Sequence, residues 1–299
     1  MSKSLKADLM LVLVTICWGA SYYLTDISLV ELQPMTLNAY RFLIAFVVAF
    51  LILFPKVKKV NKTTLKYSLL VAIALMFVYI GATYGLLYTS VSNAGFLGGL
   101  VVIFTPIFGF IFKKQIPDRK FVIIVIICTI GIALLTLNEQ LKLAKGDLLC
   151  IMCAVAYAAD LLITETAVQK EEVDALQLGV YQLGFVGLMM LIMAFAIEQP
   201  CAPKTIGIWG AVLFLAIFAT GVAFVVQAIA QQHTSASHTG LIFTLEPIFS
   251  AIVAFIFAHE VLTPRAYIGA VLMVGSMIAM EIDFKALKEK LILKEKLKK

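Results

Sequence analysis

Apolar residues fill this chain in blocks of about twenty, separated by short polar or basic connections. The blocks fall near 8–29, 36–54, 67–89, 93–112, 119–137, 147–168, 175–197, 205–231, 235–258 and 264–282. At about 1.5 Å of rise per residue, roughly twenty residues cross a hydrocarbon core of about 30 Å. The pattern therefore predicts an all-α integral membrane protein with ten transmembrane helices. The connections are short, as at 30–35, 90–92 and 232–234, so no loop is long enough to form a separate soluble domain. The first block follows Lys3 and Lys6 but is longer than the apolar region of a signal peptide, which predicts an uncleaved first helix.

The blocks repeat. Thr89–Phe96 (TSVSNAGF) returns 145 residues later as Thr234–Leu241 (TSASHTGL). At the same spacing Phe110-Ile111-Phe112 meets Phe255-Ile256-Phe257, and Gln115 meets Glu260. Asp8 precedes Trp18 as Asp147 precedes Tyr157, and Tyr40-Arg41 matches Tyr181-Gln182. Two five-helix copies are expected, 1–137 and 147–282, followed by a basic tail at 283–299. Five is odd, so the second copy enters the membrane inverted. Two inverted halves around a site near the bilayer midplane are the architecture of secondary transporters.

Composition agrees: 62% of residues are apolar and 14% charged, too little polar surface for a soluble domain of 299 residues. The net charge of +6 is distributed by topology and is no sign of nucleic-acid binding. With the N-terminus inside, most Lys and Arg fall on inner segments; the outer loops hold Lys142, Lys145, Lys204 and Arg265. The positive-inside rule then places both termini in the cytoplasm and the protein in the cell membrane, plasma or inner. The tail Lys285–Lys299 reads either as a basic amphipathic helix on the anionic leaflet or as a solvated tail. Among the five cysteines, Cys150 and Cys153 form a CxxC without a second ligand pair, so small apolar filler is expected there rather than a metal site.

Ionisable residues inside a membrane are expensive and mark function by default. Asp160 stands near the middle of the sixth helix, on a face with Cys153, Tyr157 and Thr164. Its repeat counterpart is Ser21, beside Trp18, Tyr22 and Thr25 on the first helix. Glu246 stands near the middle of the ninth, directly before Pro247, and a proline there removes one ladder donor. Pro247 and Pro106 are therefore the expected hinges. Gln227 and Tyr79 are deep enough to face a pocket. Arg41 is expected near the outer surface, snorkelling or paired with Asp26. His238, at the start of the ninth helix, is expected to cap it or to sit at the interface, and Glu260 to be a loop or cap residue.

These residues resemble a known pattern. Leu245–Gly269 (LEPIFSAIVAFIFAHEVLTPRAYIG), with its EP pair, later Glu260 and closing Gly269, is similar to the second repeat of the EamA-type permeases of the drug/metabolite transporter superfamily. Trp18-Gly19, the 93–106 region and Gly146-Asp147 fit as well; Gln115 and His259 depart, standing where the family often has Glu and Gly. The resemblance implies ten helices, alternating access, and a cavity between the first, third, fourth, sixth, eighth and ninth helices. The resulting expectation is an exporter of a small polar or cationic metabolite (amino acid, amine or drug-like), with a coupling proton, as a monomer or homodimer in the lipid bilayer. Trp18, Ser21, Tyr22, Tyr79, Tyr157, Asp160, Thr164, Gln227 and Glu246 are the expected substrate-binding residues, with no cofactor or metal. The competing readings are an intramembrane enzyme, for which the chain has no GxSxG or HExxH, and a non-transporting receptor, which would lack a polar cavity.

Overall fold

A computed structural model of the chain describes residues 3–89, 94, 97–136, 145–257 and 263–281. The basic tail, Asn93, His259, Glu260 and the junction at 138–144 lie outside the described residues. The apolar blocks are α-helical: α1 (Lys3–Ser28), α2 (Pro34–Ile52), a short turn α3 (Phe54–Val57), α4 (Lys62–Leu86), α5 (Val101–Lys113), α6 (Arg119–Thr136), α7 (Lys145–Val168), α8 (Ala175–Ile197), α9 (Ile206–Ala230), α10 (Ala236–Phe243), α11 (Glu246–Phe257) and α12 (Pro264–Glu281).

Local chemistry sets several starts. Asn61 accepts from the Thr64 amide at 2.7 Å, Asp174 from Gln177 at 2.9 Å and Ser235 from His238 at 3.2 Å, each capping a helix N-terminus. Pro34 opens α2, where its missing amide is not needed. The first amides of α2 also find a partner from elsewhere: Glu198, after α8, accepts from the amides of Met35 and Thr36, both at 2.8 Å. Glu31 does the same for the entry to α9, and the Lys204 and Thr205 amides hold its carboxyl below the usual range.

Among the described residues seven helices are long and apolar enough to cross a membrane: α1, α2, α4, α7, α8, α9, and the segment Ala236–Phe257 that contains α10 and α11. Leu97–Lys113 and α12 are shorter apolar helices, and α6 packs along α12.

Three of these segments are irregular. Near Leu100 the chain makes a tighter turn, with the Leu100 amide on the Leu97 carbonyl at 3.2 Å, before α5 begins. Near Leu245 it makes the same turn, with the Leu245 amide on the Ile242 carbonyl at 3.0 Å, before α11 begins. Inside α9 the residues Ile217–Val222 form a π-helical segment. The ninth apolar block is thus two helices, and Glu246 opens the second of them rather than sitting mid-helix.

The helices pair closely: α4 on α7, α2 on α8, α6 on α12, α1 on α11 and on α9, and α5 on α7. Small residues permit the approach, as expected where lipid supplies no hydrophobic drive between helices. A Cβ at Gly81 of α4 would lie 2.5 Å from the Leu149 carbonyl of α7. A Cβ at Gly19 of α1 would collide with the backbone of Phe249 in α11. Both contacts set the distance between cavity walls. Gly81→Ala is therefore expected to force α4 from α7 and to cost about 1–3 kcal/mol, read as a lower melting temperature of the purified protein; an unchanged melting temperature would show that the pair relaxes freely.

Candidate functional site

Between α1, α2, α4, α5, α7 and the α10–α11 break lies a cavity of about 100 Å³. Trp18, Ser21, Tyr22, Tyr79, Tyr157, Glu246 and Pro247 line it, and so do Thr25, Thr83 and Cys153. Both chain breaks reach it, one through Gly98, Gly99 and Val101 and the other through Phe243 and Glu246. Irregular backbone at membrane depth is tolerated where it lines a cavity.

The cavity carries opposite charges. Glu246 is the first residue of α11, where a carboxylate complements the helix dipole, and it lines the cavity together with Tyr22. Arg41 also lines the cavity and is 3% exposed. This corrects the expectation of a peripheral residue paired with Asp26. Its Nε donates to Thr220 Oγ1 at 2.8 Å, and its guanidinium stands 4.7 Å from the Tyr79 ring centre. Its Nη2 has no hydrogen-bond partner among the described residues. A buried guanidinium with an unused donor is a ready partner for a carboxylate.

Aromatic rings close one end of the cavity. Trp18 meets Phe243 edge-on at 4.8 Å and Tyr157 at 5.9 Å, while Tyr157 and Phe243 stack at 5.7 Å. The Trp18 Nε1 donates to the Ala219 carbonyl at 2.8 Å. Ala219 and Thr220 both belong to the π-helical segment of α9, so that irregularity anchors a ring of the floor and the guanidinium together.

Asp160, Thr164 and Gln227 are predicted site residues that do not line the cavity. They lie further along α7 and α9, next to the aromatic floor. The Tyr157 hydroxyl donates to Gln227 Oε1 at 3.1 Å, and Gln227 Nε2 donates to Asp160 Oδ2 at 3.1 Å. Gln231 Nε2 donates to the Leu161 carbonyl at 3.0 Å. Pro106 lies inside α5, one turn past the break rather than at it, and lines a separate cleft with Gln115 and His238.

Two ion pairs were not foreseen. Lys113 of α5 bonds Glu165 of α7, and His238 of α10 stands 3.3 Å from Asp8 of α1. His238 does not cap α10; the Ser235 side chain does. Cys150 and Cys153 are buried, free thiols.

Membrane-length helices broken at a polar internal cavity define an integral membrane carrier. The chain belongs to the EamA-like transporter family, whose model matches it twice, over residues 5–137 and 144–281. An uncharacterized transporter of Archaeoglobus fulgidus is 28% identical over 280 residues, covering 94% of this chain and 87% of that protein. The uncharacterized transporters YyaM and YoaV of Bacillus subtilis are 26% and 23% identical, over 91% and 89% of this chain. A solved crystal structure aligns with a TM-score of 0.79 at 16% identity, over 94% of this chain and 98% of that one, a likeness of fold. The protein is thus an EamA-type permease of the drug/metabolite transporter superfamily.

Pro247 occupies the second position of α11, where no backbone donor is required. The break near Leu100 forms without a proline at the matching position, which Val102 holds. Pro247→Ala is therefore expected to leave the break in place, lowering the melting temperature by less than roughly 4 °C. A larger loss in a thermal melt would mean that the proline itself maintains the break.

Proposed function

We propose that this permease moves a small zwitterionic metabolite of the amino-acid class by alternating access around the central cavity. Arg41 and Glu246 carry the reading: opposite charges in one aromatic-floored cavity, at two helix breaks. A cargo with an ammonium and a carboxylate meets both, and the rings add cation–π attraction for the ammonium. A purely cationic amine would face Arg41 without compensation. Export is the direction that the EamA-type resemblance supports, with a proton as the coupling ion.

We read the architecture as ten helices in two inverted repeats, 1–137 and 147–282, with the basic tail at 283–299. Three observations support this. The family model matches twice. The two breaks share one hydrogen-bond pattern 145 residues apart. The pairing of α1 with α11 has its counterpart in α7 with α5, and that of α1 with α9 in α7 with α4. Membrane-embedded Trp18, Ser21, Tyr22, Tyr79, Tyr157 and Glu246 are the proposed substrate contacts, joined by Arg41.

Thermal stabilisation of the purified protein by a panel of amino acids, and by the matching amines without a carboxylate, tests the cargo. Amino acids are expected to stabilise and the amines not; equal stabilisation by both would remove Arg41 from the reading. Arg41→Gln and Glu246→Gln are each expected to weaken binding about 10- to 100-fold, the loss of a charged contact of about 1.5–3 kcal/mol. Orientation has its own test. A reporter fused after Lys299 is expected on the cytoplasmic side and one inserted at 138–144 on the opposite side; reversed signals would overturn the inverted arrangement.

A further inference from the structure

Two fully buried oxygens near the aromatic floor have no partner. Asp160 Oδ1 and Thr164 Oγ1 make no hydrogen bond among the described residues, and the two residues are 0% and 1% exposed. They lie one helical turn apart on α7, where side chains four residues apart are neighbours. Thr164 is unusual here. Helix hydroxyls such as Thr105, Thr129 and Thr166 donate to the carbonyl four residues back at 2.7 Å. Thr166 does so two residues further along the same helix.

Among the described residues Asp160 also has no counter-ion. Lys113 of α5 is taken by Glu165 of α7, and His238 of α10 by Asp8. The α9 helix presents Gln227 and Gln231, which carry no charge. The titratable side chains that interact with it, Tyr79 on α4 and Tyr157 on α7, offer no positive charge. Isolated ionised carboxylates are strongly disfavoured in such surroundings.

We propose that Asp160 is the binding site for one proton, separate from the substrate cavity. A proton on Oδ1 removes an uncompensated charge from a fully buried carboxyl group. A metal cation would need about five or six oxygen ligands, and two unpartnered oxygens do not supply them. The site reaches the cavity through one chain of donors: Tyr157 hydroxyl to Gln227 Oε1, then Gln227 Nε2 to Asp160 Oδ2. Neutralising Asp160 weakens the second bond, because charge-assisted hydrogen bonds are about twice as strong as neutral ones. Tyr157 belongs to the aromatic floor, so proton binding loosens the closure of the cavity. This deepens the proposed function by giving its coupling proton a seat.

The test is an infrared pH titration of the full-length protein in lipid, which needs no substrate. A protonated-carboxyl C=O band is expected to grow on acidification, to vanish in Asp160→Asn and to remain in Glu246→Gln. Should Asp160→Asn not fold, Asp160→Glu decides by moving the band. A band unchanged in the Asp160 variants, or one erased by sodium at constant pH, overturns the proposal. In proteoliposomes, a pH gradient is expected to accelerate efflux of a mixture of radiolabelled L-amino acids, and Asp160→Asn to keep exchange while losing that acceleration. Gradient-driven efflux that survives in Asp160→Asn also overturns it. If the wild type moves none of the mixture, the cargo reading fails while the titration still decides the proton site.

Discussion

Every backbone amide and carbonyl that crosses a bilayer must find its partner within the protein. This constraint makes the helices nearly continuous and gives meaning to the places where they are not. Among the described residues the turns near Leu100 and Leu245 and the π-helical segment at 217–222 interrupt apolar helical runs, and all three adjoin the same cavity or hold its walls. The π segment turns a local irregularity to use, because the Ala219 carbonyl receives the Trp18 indole and the Thr220 hydroxyl receives the Arg41 side chain.

The charges follow from the same scarcity of partners. In low dielectric a guanidinium or a carboxylate persists only if most of its hydrogen-bonding capacity is met. Arg41 is held by Thr220 on one side and the Tyr79 face on the other. Its Nη2 has no protein acceptor among the described residues. Glu246 has the first turn of α11 and lines the cavity with Tyr22. Each is stabilised enough to exist and left incomplete enough to bind.

Much of this was legible in the sequence, for definable reasons. Block length and spacing announced membrane helices, and a carboxylate beside a proline at mid-membrane announced Glu246. Helical periodicity put Cys153, Tyr157, Asp160 and Thr164 on one face. It said nothing of depth: at about 1.5 Å per residue, the stretch from 153 to 164 runs far past any small cavity. Cys153 and Tyr157 reach the cavity, while Asp160 and Thr164 lie outside its lining. Arg41 was misplaced because an arginine near a helix start usually snorkels to water. Its burial depends on Thr220 and Tyr79, residues distant in sequence. Pro106 misled in a different way. The break of that segment falls at Leu100, beside Gly98 and Gly99, and a proline inside a helix marks a lost donor without fixing where the chain turns.

The α9 helix joins these features. Its π segment grips Trp18 and Arg41, and Gln227, two turns on, grips Tyr157 and Asp160. Arg41, the aromatic floor and the buried carboxylate are therefore all tied to one element. A π segment differs from an α-helix by one residue inserted in the ladder, so relaxing it rotates everything beyond by about 100°. Such a rotation would release Gln227 from Asp160 and Tyr157 together. For the proposed proton coupling this makes α9 the shortest link between the cavity and Asp160, with no chain of small adjustments across the bundle. The π-helical register is the one in which Gln227 bridges the floor and Asp160.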